Sequence, residues 1–181
     1  PGLPRATPSA WLAPLLGVGI LLLALVTAAF WPTHSLVAYR DPPGDLVASW
    51  DVAVDQVLTY RFVHSWAKTP VEECWRIASD GRLTVSGTTY KDFGAGLPGE
   101  PEEGVAFNLD ETGQQLALTG SMLQMDAPLV RVGFGAQQEL VVSESSTRLD
   151  ALAPPGSRLR FQLIEDTRLR QWLRALRLLT R

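Results

Sequence analysis

The chain has 181 residues, 46% of them hydrophobic, and a formal net charge of -3, which allows one ordinary core with a segment to spare. All 19 acidic residues fall between Asp41 and Asp166, where nine basic residues oppose them and leave that stretch at -10. So acidic a body cannot neutralise phosphates, which excludes nucleic acid as a partner, and a single cysteine, Cys74, excludes an intramolecular disulfide.

In chain order, residues 10–31, "AWLAPLLGVGILLLALVTAAFW", contain no charged side chain. A helix of about 20 residues crosses the hydrocarbon core of a bilayer, so this run predicts a transmembrane helix or signal anchor. Trp11 and Trp31 stand at its two ends, where aromatic rings favour the headgroup level. A cleaved signal would have an apolar core of roughly 7 to 15 residues and a small-residue cleavage site, and "TAAF" fits that poorly. Arg5 lies before the run and Arg40 after it. With the chain terminus added to Arg5, the positive-inside bias predicts residues 1–9 in the cytoplasm and the remainder outside, as a single-pass membrane protein.

"RDPPGD", Arg40 to Asp45, has linker or turn composition, so 32–45 is expected to be a linker and the soluble domain to start at 46. From 46 to 166 the chain is a series of short β-rich runs. Leu58, Tyr60 and Phe62 alternate with Thr59, Arg61 and Val63, and Leu159, Phe161 and Leu163 with Arg158, Arg160 and Gln162. Period-two alternation marks half-buried strands. "SDGR" at 79–82 is a hairpin signal, because Asp-Gly accommodates the positive φ of a tight turn. Eight to ten such strands predict an all-β domain, a small antiparallel sandwich or barrel.

After Asp166 the period changes. Leu169, Trp172, Leu173, Leu176 and Leu179 recur at helical spacing, with Arg168, Arg170, Arg174, Arg177 and Arg181 largely off that stripe, so 167–181 is expected to be a basic amphipathic helix. It would lie on an anionic membrane surface or a partner, or cover an open end of the β-domain with its arginines on the acidic body. Both placements need the same stripe, and the sequence leaves them open.

The densest chemistry is "HSWAKTPVEECWRI", His64 to Ile77. His34, His64, Glu72, Glu73 and Cys74 lack the close ligand pairs of zinc sites, so neither a metal nor a cofactor is expected. Neighbouring strand residues face opposite ways, so His64 and Ser65 are no catalytic pair, and Glu72 and Glu73 are no acid/base pair; one glutamate is expected to face inward or toward a loop, where a buried carboxyl needs a donor that His64, Ser65, Lys68, Tyr90 or Lys91 could supply. The cluster His64, Ser65, Lys68, Glu72 and Glu73 is either a polar network fixing a strand-end loop or a surface for a ligand or partner. "FGAGLP", with Gly94, Gly96 and Pro98, permits close backbone approach but lacks the GxGxxG context of a phosphate site. No catalytic set emerges, so no enzyme is expected.

His64, Ser65, Lys68 to Glu73 and Trp75, followed by Gly94 to Pro98, together resemble the pattern of the bacterial family named domain of unknown function 1850. Trp66 stands where that pattern has a smaller aliphatic residue. Genes of the family commonly neighbour those for the fused permease and solute receptor of TAXI-type TRAP transporters. The resemblance therefore implies an exported or anchored accessory to solute uptake, single-pass in the bacterial inner membrane with its domain in the periplasm, docking on a TRAP permease or its receptor, with no known reaction. Two rivals stay open: a small-molecule-binding β-domain with a pocket near His64 and Glu72, and an uncharacterised hydrolase.

Overall fold

The computed structural model describes residues 9–91, 106–109, 116–125 and 127–180, with side chains described over 14–91, at 125 and over 127–180. The first described element is helix α1, Ser9–Ala29, whose described apolar side chains stand largely open: Leu15, Ile20, Leu23 and Val26 are all more than half exposed. Among the described residues, which include the side chains of α1 only from Pro14 onward, no helix is long and apolar enough to cross a membrane.

Two antiparallel sheets follow. One has the order β2-β1-β11-β8, built from β1 (Pro32–Arg40), β2 (Asp45–Val52), β8 (Leu129–Arg131) and β11 (Arg158–Thr167). The other has the order β10-β9-β3-β4-β5-β7-β6, built from β3 (Val57–Val63), β4 (Pro70–Ile77), β5 (Leu83–Tyr90), β6 (Ala106–Leu109), β7 (Leu116–Met125), β9 (Glu139–Val142) and β10 (Ser145–Arg148). A short helix α2, Leu149–Leu152, leads toward β11, and α3, Arg168–Leu179, follows it directly.

The alternation in the sequence explains the core. Leu58, Tyr60, Trp75, Ile77, Leu83 and Leu140 from the seven-stranded sheet meet Leu36, Ala38, Leu159 and Phe161 from the four-stranded one, all at most 6% exposed. Aromatic rings join the layers: Trp75 meets Phe161 edge-on at 5.7 Å and lies 5.0 Å from Tyr60. The fold is thus an all-β sandwich of two sheets rather than one closed barrel. Asp80-Gly81 forms the expected tight turn between β4 and β5, with Gly81 at φ +80 and Ala78 N–H donating to Arg82 O at 2.9 Å.

The expected linker over 32–45 is corrected. Residues 32–40 are β1, an inner strand flanked by β2 and β11, and "RDPPGD" is the turn of the β1–β2 hairpin. The strand escaped the alternation test because both of its faces are covered: Ser35, Leu36, Val37 and Ala38 are all 0% exposed. Leu36 and Ala38 join the core, while Ser35 lies beneath α3.

The path of the chain gives the sandwich two distinct ends. β1 runs away from α1, β2 returns, β3 runs out again, and β4 returns after the His64–Thr69 loop. The near end carries the end of α1 and, through the pairing of Pro32 with Thr167, the start of α3. The far end carries the β1–β2 turn, the His64–Thr69 loop and the segment 132–138, about 25–30 Å away at roughly 3.3 Å per strand residue.

Candidate functional site

The far end is built on the β3–β4 hairpin, whose register pairs Val63 with Pro70, Arg61 with Glu72 and Tyr60 with Glu73. His64 closes the loop between these strands: its N–H donates to Thr69 O at 2.9 Å, its carbonyl accepts from Lys68 N–H at 2.9 Å, and its ring Nδ1 accepts from Ala67 N–H at 3.1 Å. Lys68 takes a positive φ of +57 to complete the turn, a conformation that is sparsely occupied by residues with a Cβ. The histidine is the fastener of its own loop.

The two glutamates diverge, as strand geometry requires. Glu72 faces out from the sheet, where its Oε1 lies 2.8 Å from Arg61 Nε. Arg61 also reaches Glu139 Oε1 on β9 at 3.4 Å, and Ser146 Oγ donates to Glu139 Oε2 at 2.7 Å. Glu73 faces the other way and accepts from Trp75 Nε1–H at 3.0 Å. Burial raises its carboxyl above the ordinary value, and the Trp75 hydrogen bond offsets this only in part. Tyr60, opposite Glu73, accepts from Gln138 Nε2 at 2.7 Å, and burial pushes its phenol well above the ordinary value.

Among the described residues, no hydrogen bond or ion pair joins His64, Ser65 or Lys68 to either glutamate, so the polar cluster of the sequence divides into a loop fastener, an outward ion pair and an inward carboxyl. Gly94, Gly96 and Pro98 lie outside the described residues. No group of three or more His, Cys, Asp or Glu side chains among the described residues could hold a metal ion. Nor is any described hydroxyl or thiol hydrogen-bonded to a histidine ring. Burial, then the charge of Glu72, raises the Cys74 thiol, the reverse of what a nucleophilic cysteine needs.

A cleft of about 250 Å³ opens on the outer face beside this hairpin, lined by residues that include Arg61, Val63, Pro70, Glu72, Glu139 and Arg148. Glu72 borders it and His64 does not. The loops next to it carry two exposed aromatics, of which the sequence reading noted only Trp66, as a departure from the family pattern. Phe134 is 85% exposed, and Trp66, at the tip of the signature loop, is 72% exposed. The two segments are tied together where Val63 N–H donates to Ala136 O at 2.8 Å. The signal for Phe134 was present in "GFG", since an aromatic between two glycines has a turn's composition. Arg61 and Glu139 meet only through the β3–β9 pairing, which nothing local announces.

The arginines of the C-terminal helix also separate. Arg174 turns onto the four-stranded sheet, where its Nη1 lies 2.7 Å from Asp166 Oδ2 and 3.3 Å from Ser49 Oγ. Arg168, Arg170 and Arg177 are exposed, and Trp172 is 69% exposed.

Fold and site together define a two-sheet antiparallel β-domain with a helix at each terminus and an aromatic, ion-paired end remote from both. The chain belongs to the family described as domain of unknown function (DUF1850), whose model matches residues 58–149, from the second residue of β3 to the first of α2. The match takes in the seven-stranded sheet from Leu58 onward, β8, the His64–Thr69 loop and the segment 132–138, and leaves out α1, β1, the β1–β2 turn, β2, β11 and α3. No curated protein and no solved structure matches the chain.

Proposed function

We propose that the protein is a membrane-anchored, extracytoplasmic docking module for a TRAP-type solute transporter, with the far end of the sandwich as its contact surface. The observation that carries this reading is that Trp66 and Phe134, both largely exposed, stand on two loops of the family-matched region that a backbone hydrogen bond ties together. Exposed aromatics at the rim of a rigid scaffold are the residue type that dominates protein interfaces. Supporting it, α1 continues an uncharged run from Ala10 to Trp31, its described side chains find no cover in the β-domain, and it joins the sandwich at the end opposite those aromatics. A bilayer span there would hold the aromatic end about 25–30 Å above the surface, at strand rise, within reach of a soluble receptor.

The test is co-purification from native membranes. Tagged protein should retain a TRAP permease or receptor, and Trp66→Ala with Phe134→Ala should lose it without lowering the thermal midpoint. If the parent brings down neither component and deletion of its gene leaves solute uptake unchanged, the reading is wrong.

The Arg61–Glu72 cleft supports a second reading, a small polar ligand held on the outer face. Its volume of about 250 Å³ is below the common range of roughly 300–1,000 Å³ for ligand pockets, and Arg61 is already satisfied by both glutamates. Arg61→Ala should abolish any ligand-dependent rise in thermal midpoint if that reading holds.

A further inference from the structure

Helix α3 is docked with its polar side inward. Asp166, 5% exposed, closes the end of β11 and gathers three donors: Ser35 Oγ–H at 3.1 Å, the Thr167 N–H at 2.8 Å and Arg174 Nη1 at 2.7 Å. One turn earlier, Gln171 Nε2 lies 3.0 Å from Asp51 Oδ1, 3.1 Å from Ser35 Oγ and 3.2 Å from His34 O. At 100° per residue, Gln171, Arg174 and Leu178 share one face, and these three are the partly covered residues of the helix. The opposite face carries Leu169, Trp172, Leu173 and Leu176, with exposures of 36%, 69%, 52% and 58%. Arg168 stands on one flank of that face, and Arg170 and Arg177 on the other.

A helix that merely covered a sheet would present the reverse, apolar side in and arginines out. Here the polar stripe is used up on protein, and the apolar stripe is left outward with Arg168 on one flank and Arg170 and Arg177 on the other. That is the arrangement of a helix lying in the plane of a lipid interface, with arginines at headgroup level and leucines and tryptophan below it. A second observation points to the same occupant. The register of β1 against β11 sets Pro32 beside Thr167, so α3 starts where α1 ends, and the two helices meet. Trp31, 62% exposed, and Arg168 line one cleft there with His34 and Asp51, so an aromatic ring and a guanidinium sit at the level where a span would leave the bilayer.

We propose that α3 lies in an anionic lipid surface, inserting Leu169, Trp172, Leu173 and Leu176 while Arg174 and Gln171 hold it rigidly to the sandwich, so that the β-domain is fixed to the membrane along a line as well as by α1. The part played by α1 rests on the anchor proposed above; the insertion of α3 stands on its own faces. Any anionic headgroup supplies the required chemistry.

The test uses the full chain in vesicles of phosphatidylcholine alone and of phosphatidylcholine with phosphatidylglycerol. In a Cys74→Ser background, Leu173→Cys and, separately, Trp66→Cys carry an environment-sensitive fluorophore, and quenching by lipids brominated high on the acyl chain is read. Insertion predicts several-fold stronger quenching at 173 than at 66, greater in the anionic vesicles and reduced by Arg168→Gln, Arg170→Gln and Arg177→Gln together. Resistance to carbonate extraction reports α1 independently. Quenching at 173 in a carbonate-extractable protein would sustain the α3 proposal and end the anchor. A label at 173 quenched no more than at 66 overturns it, whether the fluorophore stays in water or is blue-shifted against a protein such as a second copy of this chain.

Discussion

Glu73 shows how one alternation decides two fates. Its neighbour Glu72 faces solvent and Arg61, whereas Glu73 is carried inward beside the Trp75 indole, and burial makes its ionised form costly. Because its native pKa lies above the ordinary value of 4.5, the folded protein binds this proton more tightly than the unfolded chain does. The resulting contribution to stability is complete below the ordinary value and lost as pH rises through the raised one. Glu73→Gln keeps an acceptor for Trp75 and removes the titration. Across about pH 4 to 8, thermal unfolding should show the variant gaining on the parent as pH rises; a gap independent of pH would refute the assignment. That the two glutamates face opposite ways was legible from strand geometry. The donor to Glu73 was not, because the sequence cannot place an indole two residues along the same face of the strand ahead of the nearby His64, Ser65 or Lys68.

At the scale of elements, β1 and α3 explain each other. Ser35 of β1 is buried beneath α3, so the strand lost the polar-out pattern by which the others were read, and α3 could not reveal from periodicity which of its faces would dock. The tie between them is the Arg174–Asp166 pair, whose side chains are 16% and 1% exposed. Removing one partner of a buried pair strands the other charge. Arg174→Met should therefore lower unfolding stability by about 3 kcal/mol, the lower end of the usual cost, since Ser35 and Thr167 still serve Asp166. Adding Asp166→Asn should recover more than half of that loss in chemical denaturation. Additive losses would mean that the pair is not coupled. Exposed bridges such as Arg82–Asp80, with side chains 41% and 47% exposed, should leave unfolding stability little changed when removed.

For the whole molecule, the span matched by the family model is smaller than the unit that buries the core. Residues 58–149 include Leu58, Trp75, Ile77, Leu83 and Leu140, but Leu36, Ala38, Leu159 and Phe161, which cover them, lie outside. Expressed alone, 58–149 should show no cooperative thermal transition by circular dichroism, whereas 32–167 should retain one; a cooperative transition in the shorter segment would show that its sheet is self-sufficient. The all-β class, the turn at Asp80-Gly81 and the C-terminal helix were all legible in local pattern. The division into two sheets, the Arg61–Glu139 contact and the docking of α3 were not, since each depends on residues brought together from distant parts of the chain. The pairing of Pro32 with Thr167 has a mechanical consequence. A force separating α1 from α3 would load the β1–β11 ladder at its near end and break its hydrogen bonds one after another, as a zipper opens, rather than shearing all of them at once. Such a joint resists tension poorly and holds when both helices move together.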